Sequence, residues 1–171
     1  MNPERIAGAW VVLDTVPDPE VPALSVRDLG IVRDVALTDS NGALEIVLTP
    51  TYSGCPATEV IEQSVLEAID GAGLGPARVQ LQRAPAWTSD WISEQGRRKL
   101  LEYGIAPPGP VAVEQQMPLR FIRRSRDAER LACPRCASED TEQLSAFGST
   151  ACKALYRCRA CREPFEHFKP I

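Results

Sequence analysis

The feature that most constrains this chain lies near its C-terminal end, where Cys133-Pro134-Arg135-Cys136 is followed, after 21 residues, by Cys158-Arg159-Ala160-Cys161. Each Cys-x-x-Cys turn brings two thiolates to one ion, and two such turns complete a closed tetrahedral site, so Cys133, Cys136, Cys158 and Cys161 are the expected ligands of a structural Zn2+. The stretch between the pairs is one residue longer than the usual window. Leu144, Phe147, Leu155, Tyr156 and Phe165 are too few to stabilise about 40 residues on their own. Metal ligation should therefore supply most of the folding free energy there, on the order of 10 kcal/mol or more. The same four sulfurs suit iron as well, whereas disulfides do not fit a chain without a secretory context. Cys152 reads as a small buried hydrophobe and His167, the only histidine, as a surface or packing residue, since four sulfurs already fill the shell.

A chain of 171 residues with 44% hydrophobic and 25% charged residues is globular in composition and long enough for one ordinary domain with a small satellite. Its longest apolar stretch, Ile6 to Leu13, is far shorter than the ~20 residues that cross a bilayer, and no basic region or cleavage site accompanies it. No membrane span and no secretory signal are expected, and the location expected is the cytoplasm. The net charge of −4 is unevenly spread, with 8 Lys/Arg against 15 Asp/Glu in residues 1–110 and 11 against 8 in residues 111–171. A tail this weakly basic argues against a life on nucleic acid, although Arg120 to Arg130 keeps a nucleic-acid-binding ribbon as an alternative.

Ile6, Ala9, Trp10, Leu13 and Val16 recur at helical spacing after Pro3 and predict a first helix that stops at Pro17-Asp18-Pro19. The proline-rich, apolar segment 20–30 should be an ordered loop lying on the core. The runs 31–37 and 43–48 flank Asp39-Ser40-Asn41-Gly42 and predict a hairpin. Ala57, Val60, Ile61, Val65, Ala68 and Ile69 form the apolar stripe of a second helix ending near Gly71 and Gly73. A half-buried strand over 78–83 and a helix from Asp90 to Tyr103, closed by Gly104, complete an α+β domain: a small mixed sheet covered by helices. The expected division is a domain over 1–104, a linker or arm over 105–130 and a zinc ribbon over 131–171.

A second site sits at the start of the second helix, in Thr49-Pro50-Thr51-Tyr52-Ser53-Gly54-Cys55-Pro56. Pro56 suits the first helical position, which puts Cys55 at or near the cap, where free N–H groups and the helix dipole favour a thiolate. Such a sulfur can take a metal or sulfide, with the hydroxyls of Thr49, Thr51 and Ser53 nearby and Gly54 allowing close approach. The residues alone are equally compatible with a buried cap neighbour whose hydroxyls only satisfy the turn. Asp18, Glu20 and Asp28 form an acidic set in the ordered loop that could face the Cys55 cap, but as loop acids they are expected to be solvated. Of Trp87 and Trp91, one should pack in the core and the other contribute to a docking surface. No nucleophile, base and orienter assemble, so a self-contained hydrolase is disfavoured. A thiol redox protein pairing Cys55 with Cys152 remains an alternative.

The strings Asp18-Pro-Glu-Val-Pro-Ala-Leu-Ser-Val-Arg-Asp-Leu-Gly-Ile-Val32 and Thr49-Pro-Thr-Tyr-Ser-Gly-Cys-Pro56 resemble the small domain of iron-sulfur cluster assembly factors such as SufT. Together with Ala84-Pro-Ala-Trp-Thr-Ser-Asp-Trp-Ile92 and Phe147-Gly-Ser-Thr-Ala-Cys-Lys-Ala-Leu-Tyr-Arg-Cys158, they narrow the resemblance to the PaaD family of phenylacetyl-CoA epoxidase accessory subunits. The resemblance implies a cytoplasmic, non-catalytic protein of phenylacetate catabolism that supports maturation of a metal centre. Its implied partners are subunits of the epoxidase complex, either the di-iron oxygenase or the iron-sulfur reductase, and a homo-oligomer is compatible with it. By the same resemblance Cys55 matches the cysteine of cluster handling, where a transient iron or iron-sulfur species would be held. Pro170 stands where the family often carries a further cysteine.

Overall fold

Strand β1 (Val32–Leu37) and strand β2 (Leu44–Leu48) form the expected antiparallel hairpin, Leu37 opposite Leu44. Gly42 takes φ +64° and donates its N–H to the Thr38 carbonyl at 3.1 Å, as a tight turn requires. Strict alternation on β2 sends Leu44, Ile46 and Leu48 into the core. On β1 the register shifts between Val32 and Asp34, so Arg33 and Asp34 are both exposed while Val32 and Val35 are buried. That irregularity leaves the Arg33 guanidinium stacked 3.5 Å over the Trp91 ring.

This computed structural model describes residues 3–38, 42–52, 54–111 and 131–171, so most of the expected turn at 39–41, Ser53 and most of the expected arm lie outside the described residues. The chain divides into two compact units, Met1–Lys99 and Leu100–Ile171. In the first, helix α1 (Pro3–Leu13) buries Ala9 and Leu13, and helix α2 (Ala57–Gly71) buries Ala57, Ile61, Val65 and Ile69 at a strict four-residue spacing. Val60, expected on that stripe, is 51% exposed, because the buried face is narrower than the apolar one. Helix α2 is the crossover that returns the chain to strand β3 (Ala77–Leu81), which pairs parallel to β2 and makes the sheet mixed, in the order β1-β2-β3. The loop 20–30 does lie on the core, with Val21, Leu24, Val26 and Leu29 buried.

The single helix expected over 90–103 is two pieces. A 3-10 turn over Ser89–Trp91 is broken at Ile92, whose ψ of 125° is extended, and helix α3 (Glu94–Tyr103) follows. The Ser93 hydroxyl, directly before α3, accepts from the Gly96 N–H at 2.9 Å and starts the helix afresh. Trp87 is the core tryptophan, with its indole N–H on the Leu29 carbonyl at 2.9 Å.

In the second unit, Ile105–Ala106, placed in the linker from sequence, form a short strand β4. The sheet continues with β5 (Thr141–Ser145), β6 (Lys153–Cys158) and β7 (Pro164–Phe168) in the order β4-β7-β6-β5, with only β4 and β7 parallel. One cluster of its core is Ala106, Cys133, Cys158 and Phe165, with Leu131 and Tyr156 packed against them, and Ile105, Cys152, Ala154 and Phe168 are buried as well. Leu144 and Phe147, expected in this core from sequence, are exposed, whereas Phe168, not among those expected, is buried.

Candidate metal centre and a cysteine at a helix entrance

The four ribbon sulfurs converge: the Sγ atoms of Cys133, Cys136, Cys158 and Cys161 all lie within 4.8 Å of one another. Cys133 and Cys161 sulfurs are 3.8 Å apart and those of Cys136 and Cys158 3.5 Å. A tetrahedron with Zn–S bonds of ~2.3 Å has edges of ~3.8 Å, so the donor set already has the size and chemistry of a closed zinc site. Local turns produce it. The Ala137 N–H bonds back to the Cys133 carbonyl at 2.9 Å, and the residue after each pair, Ala137 (φ 59°) and Arg162 (φ 64°), turns left-handed to bring the chain round its metal. At the end of β6, Cys158 faces inward between exposed Arg157 and Arg159.

Packing four thiols together perturbs them. The Cys161 N–H points at the Cys158 sulfur from 3.4 Å and, outweighing burial, lowers that thiol to about 7. Cys161 receives a backbone hydrogen bond that lowers it, but burial and the neighbouring sulfurs push it up to about 12. A cation that displaces the shared protons removes this conflict. Cys152 is buried with its sulfur 3.0 Å from the Thr150 hydroxyl, and His167 is buried edge-on to Tyr156 at 5.6 Å between ring centres; both are packing residues, as read from sequence.

The second candidate site occupies the connection from β2 to α2. Thr49, immediately after β2, donates its N–H to the Ile31 carbonyl at 2.9 Å, yet its side chain is buried and Oγ1 has no hydrogen-bond partner among the described residues. Thr51 is half-buried. Gly54 takes φ +87° with open space where a Cβ would stand. Cys55 is half-buried; its carbonyl accepts from the Thr58 N–H at 3.2 Å, and Pro56 between them is already helical at φ −67°. Cys55 thus stands one residue before the cap position, and no side chain caps α2. Its sulfur has no hydrogen-bond partner among the described residues.

Two of the three loop acids, Asp18 and Asp28, are buried, contrary to expectation, and Glu20 is half-buried. Asp18 is buried and its Oδ1 accepts from the N–H groups of Glu20 (2.9 Å) and Val21 (2.7 Å). Asp28 is a hub: its carboxylate accepts from the Ser25 N–H at 3.0 Å, the Ser93 hydroxyl at 3.2 Å and the Lys99 ammonium at 2.6 Å. Burial pushes its carboxyl up, but Lys99 and Ser25 together hold it below the ordinary range. The reciprocal bond from the Asp28 N–H to the Ser25 hydroxyl makes Ser25-Val26-Arg27-Asp28 a capping-box pair, a signal present in the sequence and overlooked there.

Among the described residues no helix is long and apolar enough to cross a membrane. Residues 7–81 match the iron-sulfur cluster assembly protein family and residues 120–169 the PaaD zinc beta ribbon domain. An Escherichia coli (strain K12) protein that carries the name of a 1,2-phenylacetyl-CoA epoxidase component is 46% identical over 169 residues, covering 99% of this chain and 95% of its own. The Fe-S protein maturation auxiliary factor YitW of Bacillus subtilis (strain 168) is 34% identical over 95 residues, 55% of this chain and 88% of that protein. A solved domain of unknown function, DUF59, from Bacillus anthracis superposes with a TM-score of 0.52 at 24% identity, covering 57% of this chain and 92% of that one, which shows the fold. An iron-sulfur assembly fold over the first half and a zinc ribbon over the last third, matched along nearly the whole length, place this chain in the PaaD family of phenylacetyl-CoA epoxidase components.

Proposed function

We propose that this chain is a cytoplasmic accessory subunit of a phenylacetyl-CoA epoxidase that assists assembly of an iron or iron-sulfur centre in a partner, without turning over the epoxidase substrate itself. The observation that carries this reading is the near full-length likeness to a protein named as a component of that enzyme, joined to a domain of the iron-sulfur assembly family. The local chemistry supports it. Cys55 offers a half-buried sulfur beside a glycine open to approach, while the buried Thr49 hydroxyl at the base of the same loop has no partner among the described residues. We assign Cys55, Thr49 and Thr51 to transient contact with the iron cargo, and Cys133, Cys136, Cys158 and Cys161 to a resident zinc that holds the ribbon in shape for docking on the client. Zinc with four protein sulfurs keeps no open position, so the cargo chemistry falls to the other site.

The test is anaerobic co-purification of the epoxidase subunits from cells with and without this chain, with iron and acid-labile sulfide measured on each separated partner. The proposal expects a deficit in the oxygenase or the reductase when the chain is missing. Equal iron and sulfide in both preparations would refute it.

A further inference from the structure

The ribbon carries a second feature unrelated to its metal. Register on β5 and β6 sets Glu142 opposite Arg157, and the alternation of β6 puts Arg159 on the same face. Glu142 is fully engaged. Its Oε1 accepts from the Arg157 guanidinium, including Nε at 2.9 Å, and its Oε2 from Arg159 Nη2 at 2.8 Å and Nε at 3.2 Å. Past the Cys-x-x-Cys turn, the left-handed backbone at Arg162 returns the chain toward this face, and Arg157, Cys158, Arg159 and Arg162 together line a cavity of ≈ 370 Å³. Among the described residues Arg162 has neither a hydrogen bond nor an ion pair. Holding a residue with a Cβ in this conformation is a strain that glycine would avoid.

We propose that this cavity binds a small phosphate-bearing ligand through Arg162, Arg159 and Arg157. One planar carboxylate is already saturated by two of the three guanidinium forks, as Glu142 shows. Arg159 Nη1 also lies 3.8 Å from the Asp140 carboxylate, so a further anion that satisfies Arg162 and the remaining donors of Arg157 while competing for Arg159 needs more than two acceptor oxygens in a three-dimensional arrangement, which a phosphoryl group supplies and a second carboxylate does not. The rival account is electrostatic: four thiolates around Zn2+ carry a net charge of −2, and Arg162 would merely offset it.

The two accounts separate in a titration of the zinc-loaded full chain with inorganic pyrophosphate at low ionic strength, followed by calorimetry. Arg162→Gln is expected to weaken binding about 10- to 100-fold, the loss of a charge-assisted contact. Arg135→Gln, which removes the same charge from the other Cys-x-x-Cys turn outside the cavity, is expected to leave it unchanged. Glu142→Gln, which withdraws the resident anion but keeps an acceptor oxygen, should tighten it and gives an independent reading if Arg162→Gln fails to fold. Any of the following overturns the proposal: no pyrophosphate binding by the unaltered chain, equal weakening by Arg135→Gln, no tightening by Glu142→Gln, or a lowered zinc affinity in Arg162→Gln with pyrophosphate binding intact. Binding of a single-stranded oligonucleotide without binding of pyrophosphate also overturns it.

Discussion

Replacing Asp28 by alanine tests how the loop before β1 is held. The carboxylate is 7% exposed and its three partners respond differently to its loss. Ser25 is buried, so its N–H is left without an acceptor, at about 1–3 kcal/mol. Lys99 is 32% exposed and turns to water, so the ion pair contributes only about 1 kcal/mol, well short of the figure for a fully buried pair. The Ser93 hydroxyl keeps its bond to Gly96. The sum is about 2–4 kcal/mol, or a fall in Tm of at least about 8 °C for a unit of this size. Asp28→Asn keeps an acceptor for Ser25 and should lose about half as much. Because the folded carboxyl is held below its unfolded value, its contribution is complete above about pH 4 and is lost only as pH falls through the lowered folded value. Thermal unfolding by far-ultraviolet circular dichroism should therefore show a constant gap between the unaltered chain and Asp28→Ala from pH 5 to pH 8 that narrows below about pH 4, where the protonated carboxyl still accepts from Ser25 but no longer pairs with Lys99. A gap under ~0.5 kcal/mol at pH 7, or one that widens in acid, would refute the reasoning.

Further predictions concern single groups. Thr49→Val removes a buried hydroxyl that has no partner among the described residues, so the urea midpoint should rise by the equivalent of about 1 kcal/mol while client iron loading falls; a loss of stability would show that the hydroxyl is satisfied. Gly30→Ala would put a Cβ 2.5 Å from the Trp91 carbonyl at φ +67°, and should cost roughly 2 kcal/mol or more in denaturant unfolding. Chelation of zinc should abolish amide-exchange protection in residues 131–171 and leave that of α1 and α2 in place, since beyond its cysteines the ribbon buries few apolar side chains, chiefly Ala154, Phe165 and Phe168. Metal analysis before chelation should find one zinc per chain.

What could be read in the residues follows how local each determinant is. The cysteine quartet was legible because ligand type and spacing are set within each turn, and α2 because its apolar positions recur within one helix. The parallel pairing of β3 with β2 depends on where a 15-residue crossover returns the chain, and no short-range pattern reports it. The break at Ile92 was hidden because Ser93 caps a new helix inside an unbroken helical composition. Asp28 looked like a solvated acid because Ser93 and Lys99 lie 65 and 71 positions away, although its pairing with Ser25 was within reach of the capping-box pattern. β4 escaped for the same reason: two residues after a helix become a strand only because β7, some sixty positions on, offers an edge. At the helix entrance the sequence named the residues but not their state, and the buried hydroxyl of Thr49 emerges only from the packing around it.

The division of labour between the two sulfur environments is tested most directly by Cys55→Ala in the co-expressed epoxidase, with iron counted on the separated client and zinc counted on the variant. The account predicts one zinc per chain, an unchanged melting profile and a client short of iron; a fully loaded client beside that intact variant would contradict it.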